Sequence, residues 1–132
     1  MSDEQTMAVG AARPTMPVTD LRALLRTPLD PLLSDTTRLR LLAALIGLPA
    51  AGELAFTALR DLLELTDGNL GLHLRVLVER GYTDIRKEPR GRRSISFYRA
   101  TPAGRAAFAA HIAALEAIVS AAQGSEGMTS DE

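Results

Sequence analysis

The chain has 132 residues, of which 46% are hydrophobic, 4% aromatic and 23% charged, and its formal net charge is −1. A chain of this length forms one domain with a sizeable core, which here must be built mainly from aliphatic side chains. Because the chain contains no cysteine, disulfides, thiolate metal sites and cysteine nucleophiles are excluded.

The two ends of the chain are predicted to be disordered tails. Residues 1–17 and residues 124–132 are rich in small and polar side chains without hydrophobic periodicity, a composition typical of disorder. The first tail lacks the apolar stretch of a signal peptide, and we expect no apolar run of the roughly 18 residues that a membrane span needs. These features predict one domain over residues 18–123, in a cytoplasmic protein with no membrane partner.

The first two helices are predicted from their capping residues and their breaks. A short helix follows Thr19, its expected N-cap, and is stopped by Pro28. A longer helix follows Ser34, again the expected N-cap, with Asp35 in its first turn, where the helix dipole favours a negative charge. Two sides of this second helix are apolar, which predicts burial on both, with a second subunit as a candidate cover. They carry Leu39, Leu42, Ala43 and Ile46 on one side, and Leu41, Leu45 and Leu48 on the other.

Two further helices follow a break at Gly52. The third begins at Phe56, and the fourth spans Thr66–Arg80 and ends at Gly81, because glycine tolerates the positive φ of the C′ position. The apolar positions of both helices are predicted to face the core, since they follow helical spacing. They are Leu59, Leu62 and Leu63 in the third helix, and Leu70, Leu74, Leu77 and Val78 in the fourth.

A basic β-hairpin is predicted next. Two strand-like runs, YTDIRK and SISFYRAT, flank EPRGRR, so we expect a hairpin whose loop is longer than two residues. Ile95 and Phe97 alternate with serines, which is the period of a half-buried strand. Residues 66–105 hold nine basic and four acidic side chains, a local charge of +5 in a chain whose remainder is −6. A basic region of this kind attracts a polyanion whatever the total charge of the chain.

A long final helix is predicted from Thr101 as N-cap and Pro102 at the first helical position. It runs for about 20 residues, with apolar positions spaced alternately by four and three, and His111 is expected at its polar edge. This seam is too extensive for one small domain, so we expect it to form a dimer interface with the first helix. The seam consists of Phe108, Ile112, Leu115, Val119 and Ala122, and the first helix contributes Leu21, Leu24 and Leu25.

The order of these elements is that of a winged helix-turn-helix: mainly α, with a small β-hairpin and additional terminal helices. In this fold the helix before the hairpin enters the major groove of DNA, and the hairpin, or wing, reaches the flanking backbone. Thr66–Arg80 would therefore be the recognition helix and Lys87–Arg93 the wing. The predicted DNA-binding residues are Thr66, Gly68, Asn69, Leu72, His73, Arg75 and Val76 in the helix, and Lys87, Arg90, Arg92 and Arg93 in the wing.

Individual roles follow from side-chain chemistry. Asn69 can pair with adenine, Arg75 with guanine or phosphate, and Leu72 can contact a thymine methyl. Gly68 lets the start of the helix approach a phosphate closely. For His73, at the edge of the buried stripe, a structural hydrogen bond is the first interpretation and phosphate contact the second.

Three stretches, SDTTRLRLLAAL, FTALRDLLELTDGNLGLHLRVLVERGY and IRKEPRGRRSISFYRATPAGRAAF, together resemble the bacterial winged-helix transcriptional regulators of the ArsR/MarR-like group, particularly the small winged helix DNA-binding domain family. The resemblance spans residues 29–118. It implies a homodimer that binds an operator palindrome and dimerises through terminal helices, most simply a repressor. Where related recognition helices commonly carry a polar residue before His-Leu, this chain has Leu72.

Two alternatives remain open from the sequence. The chain could sense an apolar effector bound between the Ser34 helix and the dimer helices, or bind a partner protein through Leu72 and Val76. Metal sensing has little support, because His73 and His111 are isolated and cysteine is missing, so no cofactor is expected. An enzyme is not expected either: no catalytic motif occurs, and the acids Asp61 and Glu64 are predicted on a helix surface without a pocket.

Overall fold

The computed structural model describes residues 18–49 and 51–124, with side chains from residue 20 onward. Its backbone contacts divide the chain into two compact units, Leu29–His111 and a second unit to which the described residues 18–28 and 112–124 belong. The predicted N-terminal tail, and the C-terminal tail beyond Gly124, lie outside the described residues. The single domain over residues 18–123 stays a prediction.

The Leu29–His111 unit contains three helices, a three-stranded antiparallel sheet and the first part of a long helix. This confirms a mainly helical chain with a small sheet in the order of a winged helix-turn-helix. The sheet has the strand order β1-β3-β2, and the two-residue first strand had not been predicted. The elements are α2 (Thr36–Ile46), β1 (Leu54–Ala55), α3 (Phe56–Leu63), α4 (Asp67–Arg80), β2 (Thr83–Arg90), β3 (Arg93–Ala100) and α5 (Pro102–Gln123).

The core of this unit is formed almost entirely by leucines, as the composition predicted. Leu62, predicted to face inward, is instead 60% exposed, because Leu59 alone provides the fully buried contact of the two-turn helix α3. In β3 the face that joins the core carries Tyr98 and Ala100, whereas Ile95, predicted on the buried face, is only half-buried. The fully buried leucines are Leu33, Leu41, Leu42, Leu45, Leu59, Leu70 and Leu77, with Leu74 1% exposed.

The start of α2 differs from the prediction by one residue. Asp35, not Ser34, is the N-cap, and one of its carboxylate oxygens accepts a hydrogen bond from the Arg38 N–H at 3.0 Å. The Ser34 hydroxyl donates instead to the Asp30 carbonyl oxygen at 2.8 Å. A charged N-cap satisfies a free N–H group and also interacts favourably with the helix dipole, so the aspartate prevails over the neighbouring serine.

The hairpin turn is tighter than predicted. Arg90 pairs with Arg93 across the strands, so only Gly91 and Arg92 form the turn and most of the predicted loop is strand. Gly91 has φ +63, while Arg92 does not have a positive φ. A glycine with positive φ at the first central position matches a type II′ turn, whose twist suits a two-residue hairpin.

The beginning of α5 is fixed to the end of α4. The Thr101 hydroxyl accepts a hydrogen bond from the Gly104 N–H at 2.9 Å and donates to the Gly81 carbonyl oxygen at 2.6 Å, which confirms Thr101 as the N-cap. Gly104 lies against the Tyr82 backbone, so that a Cβ there would lie 2.9 Å from the Tyr82 carbonyl carbon and closer still to its oxygen. His111 is 3% exposed and accepts from the Asp30 N–H at 3.1 Å, so its predicted place at a polar edge was wrong.

The second unit contains α1 (Val18–Leu25) and the last part of α5. Because α1 already includes Val18, Thr19 lies inside the helix rather than at its N-cap. In the part of α5 that belongs to this unit, the buried positions are Ala114 and Ala121, at 4% and 8% exposure. Ala122 of the predicted seam is exposed.

In the part of the chain that the structure describes, α5 is the one helix long and apolar enough to cross a membrane, by length and composition only. This finding corrects the expectation that no segment reaches that length. The core helices of soluble proteins share such a composition, so the evidence for a span is weak. Two polar groups of α5, Arg105 and His111, are hydrogen-bonded to the backbone at Ile46 and Asp30.

Candidate nucleic-acid interface

The helix predicted over Thr66–Arg80 is confirmed as α4, which begins one residue later, at Asp67, with Thr66 as its N-cap and Gly81 as its C-cap. The Thr66 hydroxyl accepts a hydrogen bond from the Asn69 N–H at 3.1 Å, and Gly81 ends the helix with φ +84. The first turn is also linked to α3, because Arg60 Nη1 donates to Asp67 Oδ1 at 3.1 Å. The predicted stripe of Leu70, Leu74 and Leu77 is buried, which fixes the rotation of α4 about its own axis.

This rotation turns a mixed polar and apolar face outward. Asn69 and Arg75 are exposed, Leu72 is 50% exposed and Val76 is half-buried. Gly68 lies in open space, since no atom comes within 4 Å of a Cβ built there. The predicted helix residues therefore lie on one exposed surface and its flank, and no ion pair within the described residues occupies the Arg75 guanidinium.

His73 is held at the flank of this face by a residue of α2. Its Nδ1 lies 3.2 Å from Arg38 Nη1, and the same guanidinium donates from Nε to the Leu32 carbonyl oxygen at 2.8 Å. The predicted structural hydrogen bond of His73 is thus present. Its partner could not be identified from the sequence, because Arg38 and His73 are far apart in the chain.

One face of the hairpin carries a ladder of paired charges. Side chains two apart on β2 share a face, and Arg86 reaches both Glu53, by a bidentate hydrogen bond, and Glu88, at 3.0 Å. The guanidinium carbon of Arg86 also lies 4.6 Å from the centroid of the Phe97 ring. Further along this face Arg99 pairs with Asp84 at 3.4 Å.

These contacts shift the pKa values of the paired groups. Hydrogen bonds from Arg86 hold the pKa of Glu53 below its ordinary value, and hydrogen bonds from Arg86 and then Arg90 do the same for the pKa of Glu88. Hydrogen bonds to Glu53 and Glu88 raise the pKa of Arg86. Arg86 is therefore committed to bracing the hairpin, and its charge is largely neutralised within the chain.

The tip of the hairpin differs from the ladder, since most of its cations are unpaired. Arg90 contacts Glu88 at 3.2 Å and remains 61% exposed, whereas Lys87, Arg92 and Arg93 are exposed and have no carboxylate partner among the described residues. Arg90 and Arg93 are directly opposite each other across the strands. Like charges at such positions destabilise a hairpin, so an anion bound at the tip would relieve their repulsion.

Comparison with known proteins gives this surface its context. A family model described as a winged helix DNA-binding domain matches residues 37–119, more than half of the chain. The chain belongs to the winged helix DNA-binding domain family. Comparison with curated protein sequences finds no significant match.

Solved structures confirm the winged-helix fold. The transcriptional regulator homologue from Pyrococcus horikoshii aligns with a TM-score of 0.61 at 23% identity, covering 76% of this chain and 94% of that one. The multiple antibiotic resistance repressor MarR aligns with a TM-score of 0.53 at 20% identity, covering 87% and 79%. A mutant MarR from E. coli gives 0.51 at 19%, covering 80% and 73%. At these identities the likeness shows the fold, and the family model adds that the domain is of the DNA-binding kind.

In this winged helix the structure reveals residues that the sequence had not singled out. Arg38 orients a side chain of the recognition helix, and Arg86 with Glu53 braces the wing against the loop before β1. Each of these contacts joins residues more than 30 positions apart, so no local pattern could have shown them. In the described part of the chain no cluster of three or more potential metal ligands occurs, and a function without a metal stays a prediction.

Proposed function

We propose that this winged helix is a sequence-specific, homodimeric transcriptional repressor of the cytoplasm. The observation that carries the proposal is the combination, within one compact unit, of an outward face on α4 and a wing whose Lys87, Arg92 and Arg93 have no carboxylate partner among the described residues. Exposed hydrogen-bond donors can contact base edges in a groove of DNA. Guanidinium groups that are not neutralised within the chain can contact the flanking phosphates. The repressor MarR shares the fold.

In the proposed complex α4 lies in the major groove. Asn69 reads adenine, Arg75 reads guanine or a neighbouring phosphate, and Leu72 with Val76 contacts thymine methyl groups. Thr66 and Gly68 place the start of the helix close to a phosphate, where the free N–H groups and the helix dipole favour an anion. Phosphate contacts position the helix, whereas these base contacts provide the specificity.

The wing supplies most of the affinity that does not depend on sequence. Arg92 and Arg93 reach flanking phosphates with fully available charges, and Lys87 adds a third cation. Arg90 contributes less than the sequence alone predicted, because Glu88 already neutralises part of its charge. Each phosphate contact releases condensed counterions, so binding through this wing weakens as salt rises.

Dimerisation is proposed through the terminal helices. Leu25 and Val119 are 54% and 49% exposed, and Leu21, Leu24, Ile112 and Leu115 are half-buried. Exposed apolar side chains on a helix are commonly covered by a symmetric copy. Phe108, also expected in the interface, packs against the core of its own unit and would contribute less.

Selection from a random-sequence duplex library tests this function, because it requires no operator to be chosen beforehand. We expect enrichment of a palindrome whose half-sites lie about one DNA turn apart, since two symmetric recognition helices must reach the same side of the duplex. A variant with Asn69→Ala and Arg75→Ala should enrich a degenerate motif. Failure of the wild type to enrich any motif would contradict the proposal, and retained nonspecific binding would reduce it to a general DNA-binding protein.

Ligand sensing is a second candidate, favoured by one groove. A cavity of about 830 Å³ lies between the start of α3 and β3, with Phe56 and Tyr98 among its aromatic lining and Arg90 and Arg93 among its charged lining. Its volume is typical of small-molecule sites, although it is not the place expected from the sequence. An anionic effector bound there would compete with DNA for two wing arginines. Thermal shifts with a panel of organic anions, followed by release of bound duplex, would identify such an effector.

A further inference from the structure

Among the described side chains of α2, Arg38 is the one whose charged group contacts α4, at the flank of its outward face. Its side chain is 19% exposed, and its guanidinium is held in place from two sides, because Nε donates to the Leu32 carbonyl oxygen and Nη1 lies 4.0 Å from Asp35 Oδ2. Nη1 also lies 3.2 Å from His73 Nδ1. The guanidinium is therefore positioned by its own helix before it contacts α4.

This contact determines which ring nitrogen of His73 accepts and which one donates. A guanidinium has only donors, so in this hydrogen bond Nδ1 accepts with its lone pair, and the proton of the ring is on Nε2. A reversed ring would place a C–H group against the guanidinium N–H. Arg38 thus selects one tautomer and one ring orientation.

The Nε2–H group of His73 faces away from Arg38, because the two nitrogens lie on different sides of the five-membered ring. No hydrogen bond from Nε2 to another described residue is present. Nε2 is also not among the buried polar atoms that lack a partner, of which Thr83 Oγ1 is the one found in the described chain. The Nε2–H donor therefore has no partner among the described residues and is not sealed from solvent, so it can donate to a group outside the chain.

We propose that Arg38 is a positioning residue which holds His73 as a neutral Nε2–H donor for a phosphate oxygen of the bound DNA. The proposal rests on the DNA-binding function argued above and adds a specific partner within it. A neutral donor displaces no counterion, so its contribution to affinity does not depend on salt, unlike that of the wing arginines. The hydrogen bond from His73 fixes the position of the phosphate relative to the residues of α4 that contact bases.

The first test is nitrogen NMR of the imidazole in the free protein at neutral pH. With Arg38 present, we expect His73 to show distinct, unaveraged signals for a protonated Nε2 and an unprotonated Nδ1. Arg38→Gln should move both signals toward the average of exchanging tautomers. Arg40→Gln is the matched control, because Arg40 is an exposed arginine of the same helix and its loss changes the net charge equally. A protonated Nδ1 in the wild type, or signals unaffected by Arg38→Gln, would overturn the proposal.

The second test measures binding of the library-selected duplex by fluorescence anisotropy at several salt concentrations. His73→Leu and Arg38→Gln should each weaken binding about 3- to 10-fold, the range of one neutral hydrogen bond. His73→Leu should leave the salt dependence unchanged. His73→Gln should restore most of the affinity, because an amide can accept from Arg38 and donate outward at once. Combining Arg38→Gln with His73→Leu should weaken binding hardly more than either alone.

The outcomes separate this inference from the proposed function. Normal wild-type binding with no loss in His73→Leu, or additive losses in the double variant, would overturn the role of the pair and leave DNA binding intact. No wild-type binding to any selected duplex would overturn the proposed function itself and the DNA-facing role with it. Circular dichroism of each variant checks that a loss of affinity does not come from unfolding. His73→Gln is the variant least prone to unfold, because its amide can still accept the hydrogen bond from Arg38.

Discussion

The salt dependence of DNA binding distinguishes the free cations of the wing from the paired ones. Arg92 and Arg93 have no carboxylate partner among the described residues, whereas Arg86 and Arg90 contact Glu88. Replacing Arg92 and Arg93 by glutamine should remove two phosphate contacts per protomer. Each contact contributes about 0.9 to the slope of log K against log salt, so the slope should fall by about 1.8 per protomer, or about 3.6 for a dimer. Between 50 and 200 mM salt the wild type should then lose about 12-fold more affinity per protomer than the variant.

Fluorescence anisotropy with specific and random duplexes provides the measurement. The loss in the variant should be nearly equal on both duplexes, since phosphate contacts carry no sequence information. The matched control replaces two exposed arginines, Arg22 of α1 and Arg26 just after this helix, by glutamine and thereby changes the net charge by the same amount. If this control flattened the slope as much as the wing variant, general charge and not the hairpin would explain the binding. An unchanged slope in the wing variant would refute the assignment of its cations.

Three further predictions concern stability and specificity. Gly104→Ala should destabilise the chain by about 1–3 kcal/mol in denaturant unfolding, because the added methyl overlaps the Tyr82 backbone. Gly71→Ala is the control: Gly71 lies in open space within α4, so the substitution should stabilise the chain by up to about 1 kcal/mol. Equal effects of the two substitutions would refute this reasoning. Burial alone raises the pKa of the Asp30 carboxyl, but hydrogen bonds, first from the Tyr82 hydroxyl, hold that pKa below its ordinary value. The ionised Asp30 carboxylate therefore contributes to the stability of the fold above about pH 4, and this contribution is lost as the pH falls through the folded-state pKa. Unfolding curves from pH 6 downward should show that loss in the wild type and less of it in Asp30→Asn, and identical profiles would contradict the assignment. Asn69→Ala should lower discrimination at a single base pair by about 1–3 kcal/mol without changing stability, since the Asn69 side chain is exposed; a competition assay with single-site operator variants would show whether more than one position responds.

The helices that form the interface could be predicted because their signals are local. Leucines at helical spacing and Gly81 at the end predict α4 from its own sequence, and Thr101 with Pro102 does the same for the start of α5. These residues act on neighbours within one or two turns. The outward face of the recognition helix followed from the buried stripe by geometry alone.

The features that could not be predicted depend on contacts between distant segments. β1 has only two residues and exists because Leu54 and Ala55 pair with Tyr98 and Phe97. The exposure of Leu62 reflects which side of a two-turn helix meets the core, which helical spacing alone leaves ambiguous. The tight turn at Gly91 follows from strand pairing that continues to the tip.

The same limitation applies to the charges of the interface. The sequence showed a basic region but not which arginines were already paired, and the pairing of Arg86 with Glu53 spans 33 positions. The contact of Arg38 with His73 spans 35. Tertiary structure therefore separates the cations that brace the fold from those that remain available to DNA.

One measurement tests the central claim most directly: anisotropy titration of a labelled duplex from the region upstream of the gene, against a random duplex of equal length, at two salt concentrations. We predict tighter binding to the upstream duplex, with an affinity for both that falls steeply as salt rises. Absence of binding to either duplex at low salt would contradict DNA recognition and favour a partner protein bound through the exposed Leu72 and the neighbouring Val76.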